Sequence, residues 1–274
     1  MENNMGSKKY KPSKTISEQI EYLKTNKNVV FNDISEEEAK DILLKYNYIN
    51  VITPFKHRFA KLDSKKQVIK DDDGNHIYEN QVDFAQYYEC FLNERGTYPT
   101  IVKAILNFEI HFKSILAYHV FMNYELTDDQ ELSFFLDSLK LNLIGLQYSN
   151  ARIKHMDDHM DSLKKDVTKY ADKYCFFDRM SLGSVLTVFS CLDRKIQQNI
   201  FDDMKKYQLN FDVDKISDFK EKIFTLVNIR NCVMHDNSIE ILFRFYNPKT
   251  HELRKVSDRK KYQKVLKWIE KNHG

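Results

Sequence analysis

One run of the sequence combines a guanidinium, an amide and an imidazole at close spacing: Arg230, Asn231 and His235. An imidazole titrates near neutral pH, so it can accept or return a proton. A guanidinium stays charged and presents a planar fork of donors that matches phosphate oxygens. Together these groups can cleave an RNA phosphodiester without a metal, because one deprotonates the ribose 2′-hydroxyl and the other stabilises the phosphate charge. The run therefore predicts a ribonuclease site with His235 as acid/base, Arg230 as phosphate ligand and Asn231 as support.

The residues before this run predict the helix that carries it. Apolar residues recur at helical spacing through residues 219–227, and Arg230 continues their face. Asn228, Asn231 and His235 form a second, polar face, where Asn228 is assigned a supporting role. At about 100° per residue, Arg230 lies roughly 140° around the helix from His235. One helix cannot easily aim both groups at one phosphate, so the spacing favours a two-fold interface in which a second copy supplies the missing group.

The same spacing also has a purely structural interpretation, in which the arginine lies near a helix end and the histidine is a surface residue. A looser pair, Arg152 and His159, occurs elsewhere in the chain. His155 and His159 lie one turn apart, as in a helical zinc site, which makes a zinc hydrolase an alternative. No third ligand is identifiable, and His-Met-Asp-Asp-His lacks the catalytic glutamate of H-E-x-x-H. A solvated charged face explains this pair more simply, and no metal or other cofactor is predicted.

Glu109 and Lys113 lie four residues apart on a helix predicted to pack beside the one that ends at His235. An intrahelical ion pair is the simpler interpretation of this spacing. In the functional interpretation, Glu109 orients Arg230 or His235 from the neighbouring helix. The sequence leaves both interpretations open.

Composition predicts an all-α protein with a packed core. Of 274 residues, 42% are hydrophobic, and only 6 Gly and 4 Pro interrupt the chain, which favours long helices over a turn-rich β architecture. The four cysteines lie far apart without a C-x-x-C pair, so neither a zinc site nor a disulfide framework is indicated. The first thirty residues are polar, and no stretch approaches the length of a membrane span. These features predict a cytoplasmic protein that does not insert into membranes.

A formal charge of +3 is small for a nucleic-acid-binding protein, so RNA affinity would have to come from local basic patches. Two patches qualify, one near the start of the chain and one near its end, although such runs also occur simply as solvated segments. The candidate RNA-binding residues are Lys8, Lys9, Lys11, Lys14, Arg244, Lys249, Arg254, Lys255, Arg259 and Lys260.

Four regions are predicted along the chain. Residues 1–14 form a flexible basic arm, 15–95 an N-terminal helical region with a short loop or hairpin at 68–81, 96–246 the helical core, and 247–274 a basic tail with a helix. Within them, helices are expected over 17–24, 35–46, 130–166, 184–206, 212–235 and 257–271, with a break at 96–99 in the helical stretch 82–123. Residues 239–246 and 253–256 are predicted to pair as a small β-hairpin.

Several segments, in order, resemble the Abi-like (AbiD/AbiF) abortive-infection proteins of bacteria, within the HEPN ribonuclease superfamily. Residues 11–23 resemble the opening "K-P-x-x-x-x-x-x-Q-I-x-x-L" segment, and residues 44–49 the tyrosine-bearing helix that follows it. Residues 105–113 resemble the family's E-x-x-x-(K/R) helix, residues 180–186 its "S-x-G-x-L" turn, and Arg230-Asn231-x-x-x-His235 its R-N-x-x-x-H signature. The likeness spans most of residues 11–246.

This resemblance implies a HEPN-like helical bundle with additional N-terminal helices, and a homodimeric, metal-independent endoribonuclease. Arg230 and His235 from two copies would line one cleft with Asn231 in support, and cleavage would leave a cyclic phosphate. The AbiF-like branch also implies a small noncoding RNA that restrains the enzyme. The chain departs from the family where Asp236 follows His235, since a basic residue or second histidine is frequent there. The second interpretation is a noncatalytic RNA-binding or dimerisation module on the same scaffold.

Overall fold

The computed structural model describes residues 13–64, 67–72, 74–146, 150–166, 173–243 and 256–273. The chain divides into two compact units, residues 1–97 and residues 98–274. Helices dominate both units, which confirms the predicted all-α class. Within the described residues, none of the helices has the length and apolarity needed to cross a membrane.

Apart from a 3₁₀ turn over Lys56–Arg58, the described part of the first unit consists of four α-helices and one pair of two-residue strands. In chain order these are α1 (Ile16–Lys27), β1 (Val29–Val30), α2 (Glu36–Tyr46), α3 (Tyr48–Val51), β2 (Val82–Asp83) and α4 (Phe84–Gly96). The strands pair in parallel, with Val29 opposite Val82, a pairing that the sequence did not predict. Helix α2 begins at the predicted cap, Ser35. Helix α1 begins earlier than predicted because Thr15, not Ser17, accepts the Glu18 N–H in a capping box.

The core of the first unit is aromatic. Phe55, Phe84, Tyr87 and Phe91 are fully buried together with aliphatic residues of α1 and α2. Between α3 and α4 the chain makes antiparallel bridges, from Leu62 to Val68 and from Lys70 to His76, within and just before the segment where a loop or hairpin was predicted.

The second unit is built around one long helix. Its helices are α5 (Tyr98–Asn123), α6 (Asp129–Leu141), α7 (Asn150–Asp166), α8 (Lys173–Arg179), α9 (Leu182–Cys191), α10 (Arg194–Lys206), α11 (Ile216–Met234), α12 (Glu240–Phe243) and α13 (Val256–His273). Helix α5 packs against α8, α9, α10, α11 and α13. The contact between α5 and α11 is filled by Phe108, Phe112 and Phe219, whose rings lie about 6 Å apart.

Three predicted segments differ from the structure. The helical stretch 130–166 is interrupted, since α6 passes into a 3₁₀ turn over Asn142–Gly145 before α7 begins. The stretch 184–206 divides at residues 192–193, where the Gln197 side chain donates to the carbonyls of Ser190 and Leu192.

The third difference concerns the predicted hairpin. Residues 240–243 form helix α12 and not the first strand. Ser238 accepts the Glu240 N–H through its hydroxyl, and the buried side chains of Ile239 and Leu242 lie three residues apart. A three-residue spacing places both on one face of a helical turn, whereas on a strand they would point to opposite faces. The rest of the predicted hairpin lies almost wholly outside the described residues.

Candidate functional site

Helix α11 carries the Arg-Asn-x-x-x-His motif at its C-terminal end. The core face of this helix is fully buried at Phe219, Ile223, Leu226 and Ile229, which anchors the helix along its length. His235 is the C-cap residue, and Asp236 follows in the left-handed region with φ 53°. The Asn237 N–H donates to Cys232 and the Asp236 N–H to Val233. These two bonds form a Schellman motif, which ends the helix directly after His235.

Asp236 therefore has a structural role beside the motif. It occupies the position of this helix end that favours glycine or asparagine. The next residue is also held, because the Tyr98 hydroxyl donates to the Asn237 carbonyl at 2.8 Å. The helix end is thus tied to the start of α5, and the backbone that bears His235 has a defined position.

Arg230 contacts a buried carboxylate on α5. Its Nε lies 3.7 Å from Oε2 of Glu109, close enough for an ion pair although too far for a hydrogen bond. Glu109 is only 7% exposed. Its other oxygen, Oε1, lies 2.8 Å from Nζ of Lys113. Glu109 therefore joins two cations, one from its own helix and one from α11.

Lys113 is held from a third helix as well. Its Nζ donates to the Asp178 carbonyl near the end of α8 at 2.8 Å. The intrahelical pair of Glu109 with Lys113 is present in the structure, and the other carboxylate oxygen of Glu109 faces Arg230. The sequence spacing had suggested the pair, but the Asp178 carbonyl had no signal in the sequence.

The polar face of α11 is divided between a buried and an exposed part. Asn228 is half-buried, and its amide donates to the Tyr262 hydroxyl on α13 at 3.3 Å. Asn231 and His235 are exposed, while the Arg230 side chain is 31% exposed. Tyr262 was not among the predicted site residues. It lies 34 positions from Asn228 in the chain, and the spacing of residues within one helix cannot predict a contact with another helix.

These residues form a surface with distinct chemical capacities. Arg230 supplies a permanent positive charge, and its Nε lies 3.7 Å from the Glu109 carboxylate. His235 supplies an imidazole that is open to solvent and fixed to a rigid helix end. An anionic ligand can therefore reach the cation and the proton-transfer group from outside the bundle.

The other predicted candidates lie elsewhere. His155 and His159 have ring centroids 4.3 Å apart on α7, and within the described parts of the chain no third His, Cys, Asp or Glu completes a metal-binding group with them. The Arg152 guanidinium lies over the Phe224 ring at 4.3 Å. Arg152 and His159 thus serve different contacts, and the structure does not bring them into one site.

The basic patches are described only in part. Lys8, Lys9, Lys11, Arg244, Lys249, Arg254 and Lys255 lie outside the described residues. Lys14 precedes α1 and lies 5.3 Å from the centre of the Tyr22 ring. Arg259 and Lys260 lie in the first turns of α13, close in sequence to Tyr262, which contacts α11.

Comparisons with known proteins identify one family. A family model described as Abi-like protein matches residues 41–239, which includes the whole Arg-Asn-x-x-x-His motif and Glu109. A search of curated proteins and a search of solved structures each gave no significant match.

Proposed function

We propose, because this chain belongs to the Abi-like protein family, that it acts in abortive infection or a related bacterial toxin-antitoxin system as a metal-independent endoribonuclease of the HEPN type. Its place of action would be the cytoplasm. The observation that carries the proposal is the contact of the buried Glu109 carboxylate with Arg230, five residues before a solvent-open His235.

Each residue has a defined role in the proposed reaction. His235 takes the proton from a ribose 2′-hydroxyl, and the resulting oxyanion attacks the adjacent phosphorus. The bond from phosphorus to the 5′-oxygen breaks, a 2′,3′-cyclic phosphate remains, and the leaving oxygen takes up a proton. Arg230 stabilises the charge on the phosphate oxygens. Asn231 supports the phosphate, and Glu109 with Lys113 acts on the position of Arg230.

We propose further that the site is completed by a second copy of the chain. Arg230 and His235 leave α11 in different directions, so one copy does not readily aim both at one phosphate. An apolar stripe on α5 offers a surface for the second copy. Leu106, Ile110, Tyr118 and Met122 recur at multiples of four residues and are all about half-exposed or more, with Ile110 at 63%. Ile110 directly follows Glu109 on α5, so it lies at the same level of the helix, about 100° around its axis.

RNA is the proposed substrate, and a small noncoding RNA is the proposed regulator. Arg259 and Lys260 are the proposed cationic contacts to an RNA backbone, and they lie on α13, whose Tyr262 hydroxyl accepts a hydrogen bond from Asn228. Binding through phosphate contacts predicts an affinity that falls as salt rises.

The direct test uses purified protein stripped of RNA and incubated with total RNA in EDTA. The parent is expected to produce fragments with cyclic-phosphate 3′ ends, while His235→Ala and Arg230→Ala produce none. His111→Ala serves as the matched control, since His111 is an exposed histidine on α5 whose Nδ1 lies 2.8 Å from the Asn107 carbonyl of its own helix. If the parent and His235→Ala produce the same fragments in equal amounts, the proposed mechanism is wrong.

Mixing the two inactive variants tests the shared site. If Arg and His of one cleft come from different copies, a mixture of Arg230→Ala and His235→Ala is expected to regain cleavage that neither variant has alone. Ile110→Glu is expected to separate the copies, which sedimentation velocity measures. Full activity of an Ile110→Glu monomer would show that one copy is sufficient.

The second candidate is a noncatalytic RNA-binding module, and the observation that favours it is Asp236. This acidic residue directly follows His235 at the exposed helix end, where its charge opposes a phosphate. RNA binding by the parent without any cleavage, and unchanged binding by the Arg230→Ala, His235→Ala double variant, would favour this alternative.

A further inference from the structure

The first unit contains a buried lysine whose surroundings hold no compensating acid. Lys27, the last residue of α1, is 6% exposed, and its Nζ donates to the Tyr78 hydroxyl at 2.8 Å. Among the residues that the structure describes, no carboxylate forms an ion pair with Lys27. An ammonium carries three N–H donors, of which the bond to Tyr78 uses one. The remaining donors of this buried charge therefore suit an anion.

The charged groups that act on this lysine are also cations. Burial, followed by the charge of Lys56, lowers the pKa of Lys27 to about 8. Burial comes first in lowering the pKa of His76 to about 4, and it is followed by the charges of four basic side chains, Lys56, Lys27, Lys70 and His57. A positive field that disfavours a proton on two side chains attracts an anion to the same place.

Hydrogen-bond donors without a partner lie in the same unit. The hydroxyls of Tyr48 and Tyr87 and Nδ1 of His76 are buried and have no hydrogen-bond partner among the described residues, and Tyr87 is 0% exposed. Burial raises the pKa of both tyrosines, so their hydroxyls stay protonated and can donate. The His76 nitrogen can also donate in one of its tautomers. Buried polar groups normally have partners, so these atoms favour a ligand that accepts hydrogen bonds.

Tyr78 connects these donors with the ammonium. Its hydroxyl accepts the Lys27 hydrogen bond, and its ring centre lies 6.4 Å from that of His76. Burial, and after it the neighbouring phenol groups that include Tyr78, raise the pKa of Tyr48 and of Tyr87. Both hydroxyls thus lie within electrostatic range of Tyr78. We call these five residues, Lys27, Tyr48, His76, Tyr78 and Tyr87, the Lys27 cluster.

Part of the Lys27 cluster is open to solvent, where a further cation lies. His76, Tyr78 and the adjacent Tyr22 are half-buried. Nζ of Lys27 lies 5.8 Å from the centre of the Tyr22 ring, and Nζ of the exposed Lys14 lies 5.3 Å from the same centre. Lys14 is one of the residues that the sequence predicted to bind RNA. The two ammonium groups on one ring strengthen the attraction of an anion to this side of the first unit.

We propose that the Lys27 cluster binds a phosphate group. The Lys27 ammonium neutralises the charge of the phosphate, and the hydroxyls of Tyr48 and Tyr87 donate to its oxygens, which offer more acceptor positions than a carboxylate does. Binding then offsets the cost of burying the ammonium. A nucleic-acid strand and inorganic phosphate both carry this group, and titration with each distinguishes them. The site lies within the first unit and does not depend on the ribonuclease proposal.

Calorimetric titration of the full chain, stripped of RNA and kept in a phosphate-free buffer, tests the site. The probes are inorganic phosphate and a 5′-phosphorylated thymidine dinucleotide, whose sugars lack the 2′-hydroxyl that the proposed cleavage needs. Saturable binding of at least one probe is expected, and Lys27→Met is expected to weaken it by about tenfold or more, since a charge-assisted contact is lost. If the dinucleotide binds more tightly, a nucleic-acid strand supplies the phosphate; if it does not, the site binds free phosphate.

The double variant Tyr48→Phe, Tyr87→Phe provides a second measurement. It removes two buried hydroxyls that have no partner in the unliganded fold, so the midpoint of thermal unfolding without probe is expected to rise. Binding of the probe is expected to weaken by about tenfold, since two donors are lost. Hydroxyls that served only the fold would give the opposite change in the unfolding midpoint.

The matched control is Lys45→Met, because Lys45 also lies over a tyrosine ring of the first unit, at 5.0 Å from the centre of Tyr46, and is exposed. Its affinity for the probe is expected to equal that of the parent. Circular dichroism checks the fold of each variant, and the double tyrosine variant keeps the test informative if Lys27→Met does not fold.

Two results would overturn the proposal. One is the absence of saturable binding by both probes, and the other is equal affinity of the parent and Lys27→Met. A probe that binds only at the candidate ribonuclease site gives the second result. Failure of the Lys27 cluster to bind phosphate is therefore distinct from failure of the ribonuclease, which RNA cleavage measures.

Discussion

The two units of the molecule each bury a charged side chain, and they surround it with different groups. In the second unit, Glu109 is 7% exposed and lies between the cations of Lys113 and Arg230. In the first unit, Lys27 is 6% exposed, and its Nζ donates to the Tyr78 hydroxyl at 2.8 Å. Among the described residues, Glu109 and Lys27 are the two charged residues that are buried.

The Lys27 ammonium lies among tyrosine rings. Its Nζ lies 4.5 Å from the centre of the Tyr78 ring and 5.8 Å from that of Tyr22. Burial, followed by the charge of Lys56, lowers the pKa of Lys27 to about 8. Tyrosine rings and one hydroxyl therefore compensate the ammonium less completely than water does.

The two buried charges differ in the residues that they contact. Glu109 is compensated by Lys113 from its own helix and by Arg230 from α11, so its removal would take a carboxylate away from both cations. Lys27 sits within the first unit, where its charge is tolerated at a cost in stability. The first arrangement includes a cation of the candidate site, whereas the second lowers the stability of the fold.

The largest expected effect comes from Glu109→Gln. This change leaves Lys113 and Arg230 facing a neutral amide, and breaking a buried ion pair costs roughly 2–4 kcal/mol in the free energy of unfolding. Chemical denaturation measures the loss, with Glu270→Gln, an exposed glutamate on α13, as control.

RNA cleavage by Glu109→Gln is measured under conditions in which the variant is folded. The cleavage rate is expected to fall because Arg230 no longer faces a carboxylate. An unaltered rate would remove Glu109 from the positioning role.

The next effect has the opposite sign, since Lys27→Met is expected to stabilise the first unit by about 2 kcal/mol at pH 7. The unfolded chain keeps the Lys27 proton up to its ordinary pKa of 10.5, whereas the folded chain releases it near 8. The charge therefore costs stability at pH 7, and this cost disappears as pH rises from about 8 towards 10.5.

Denaturation of the parent and of Lys27→Met at pH 7 and at pH 9.5 checks this sign. The difference between them is expected to shrink at the higher pH. Lys45→Met is the matched control, because Lys45 also lies over a tyrosine ring, at 5.0 Å from the centre of Tyr46, but is exposed. A difference that stays constant with pH would contradict the assignment of the cost to the Lys27 charge.

The smallest effect is expected from Tyr78→Phe, which removes the acceptor of the Lys27 hydrogen bond and keeps the ring. The loss is about 1 kcal/mol in the free energy of unfolding. In the Lys27→Met background the same change is expected to cost close to nothing, since the donor is already absent. An equal cost in both backgrounds would assign the effect to the tyrosine alone.

Much of the local structure was predictable from residue spacing. Ser35 and Glu38 form the capping box that starts α2, and the apolar repeat through residues 219–227 predicted α11 and its buried face. The motif at the end of that helix was visible for the same reason. Each of these features depends on residues within one or two turns of each other.

Other features were misjudged because distant contacts decide them. The apolar residues in 239–246 suggested a strand, yet residues 240–243 form the short helix α12, which packs against α13. The parallel pairing of Val29 with Val82 joins residues more than fifty positions apart. Local propensity is a weak preference, and packing against other elements overrides it.

The sequence by itself determined an all-α chain with an arginine, an asparagine and a histidine at one helix end. Only the tertiary structure decided that Glu109 faces Arg230, that Lys113 reaches the Asp178 carbonyl, and that Lys27 is buried among tyrosines. The physical reason is the range of the interactions. Helix periodicity and capping act between neighbours in the chain. The pairing of buried charges depends on which helices pack together, and no local pattern records that choice.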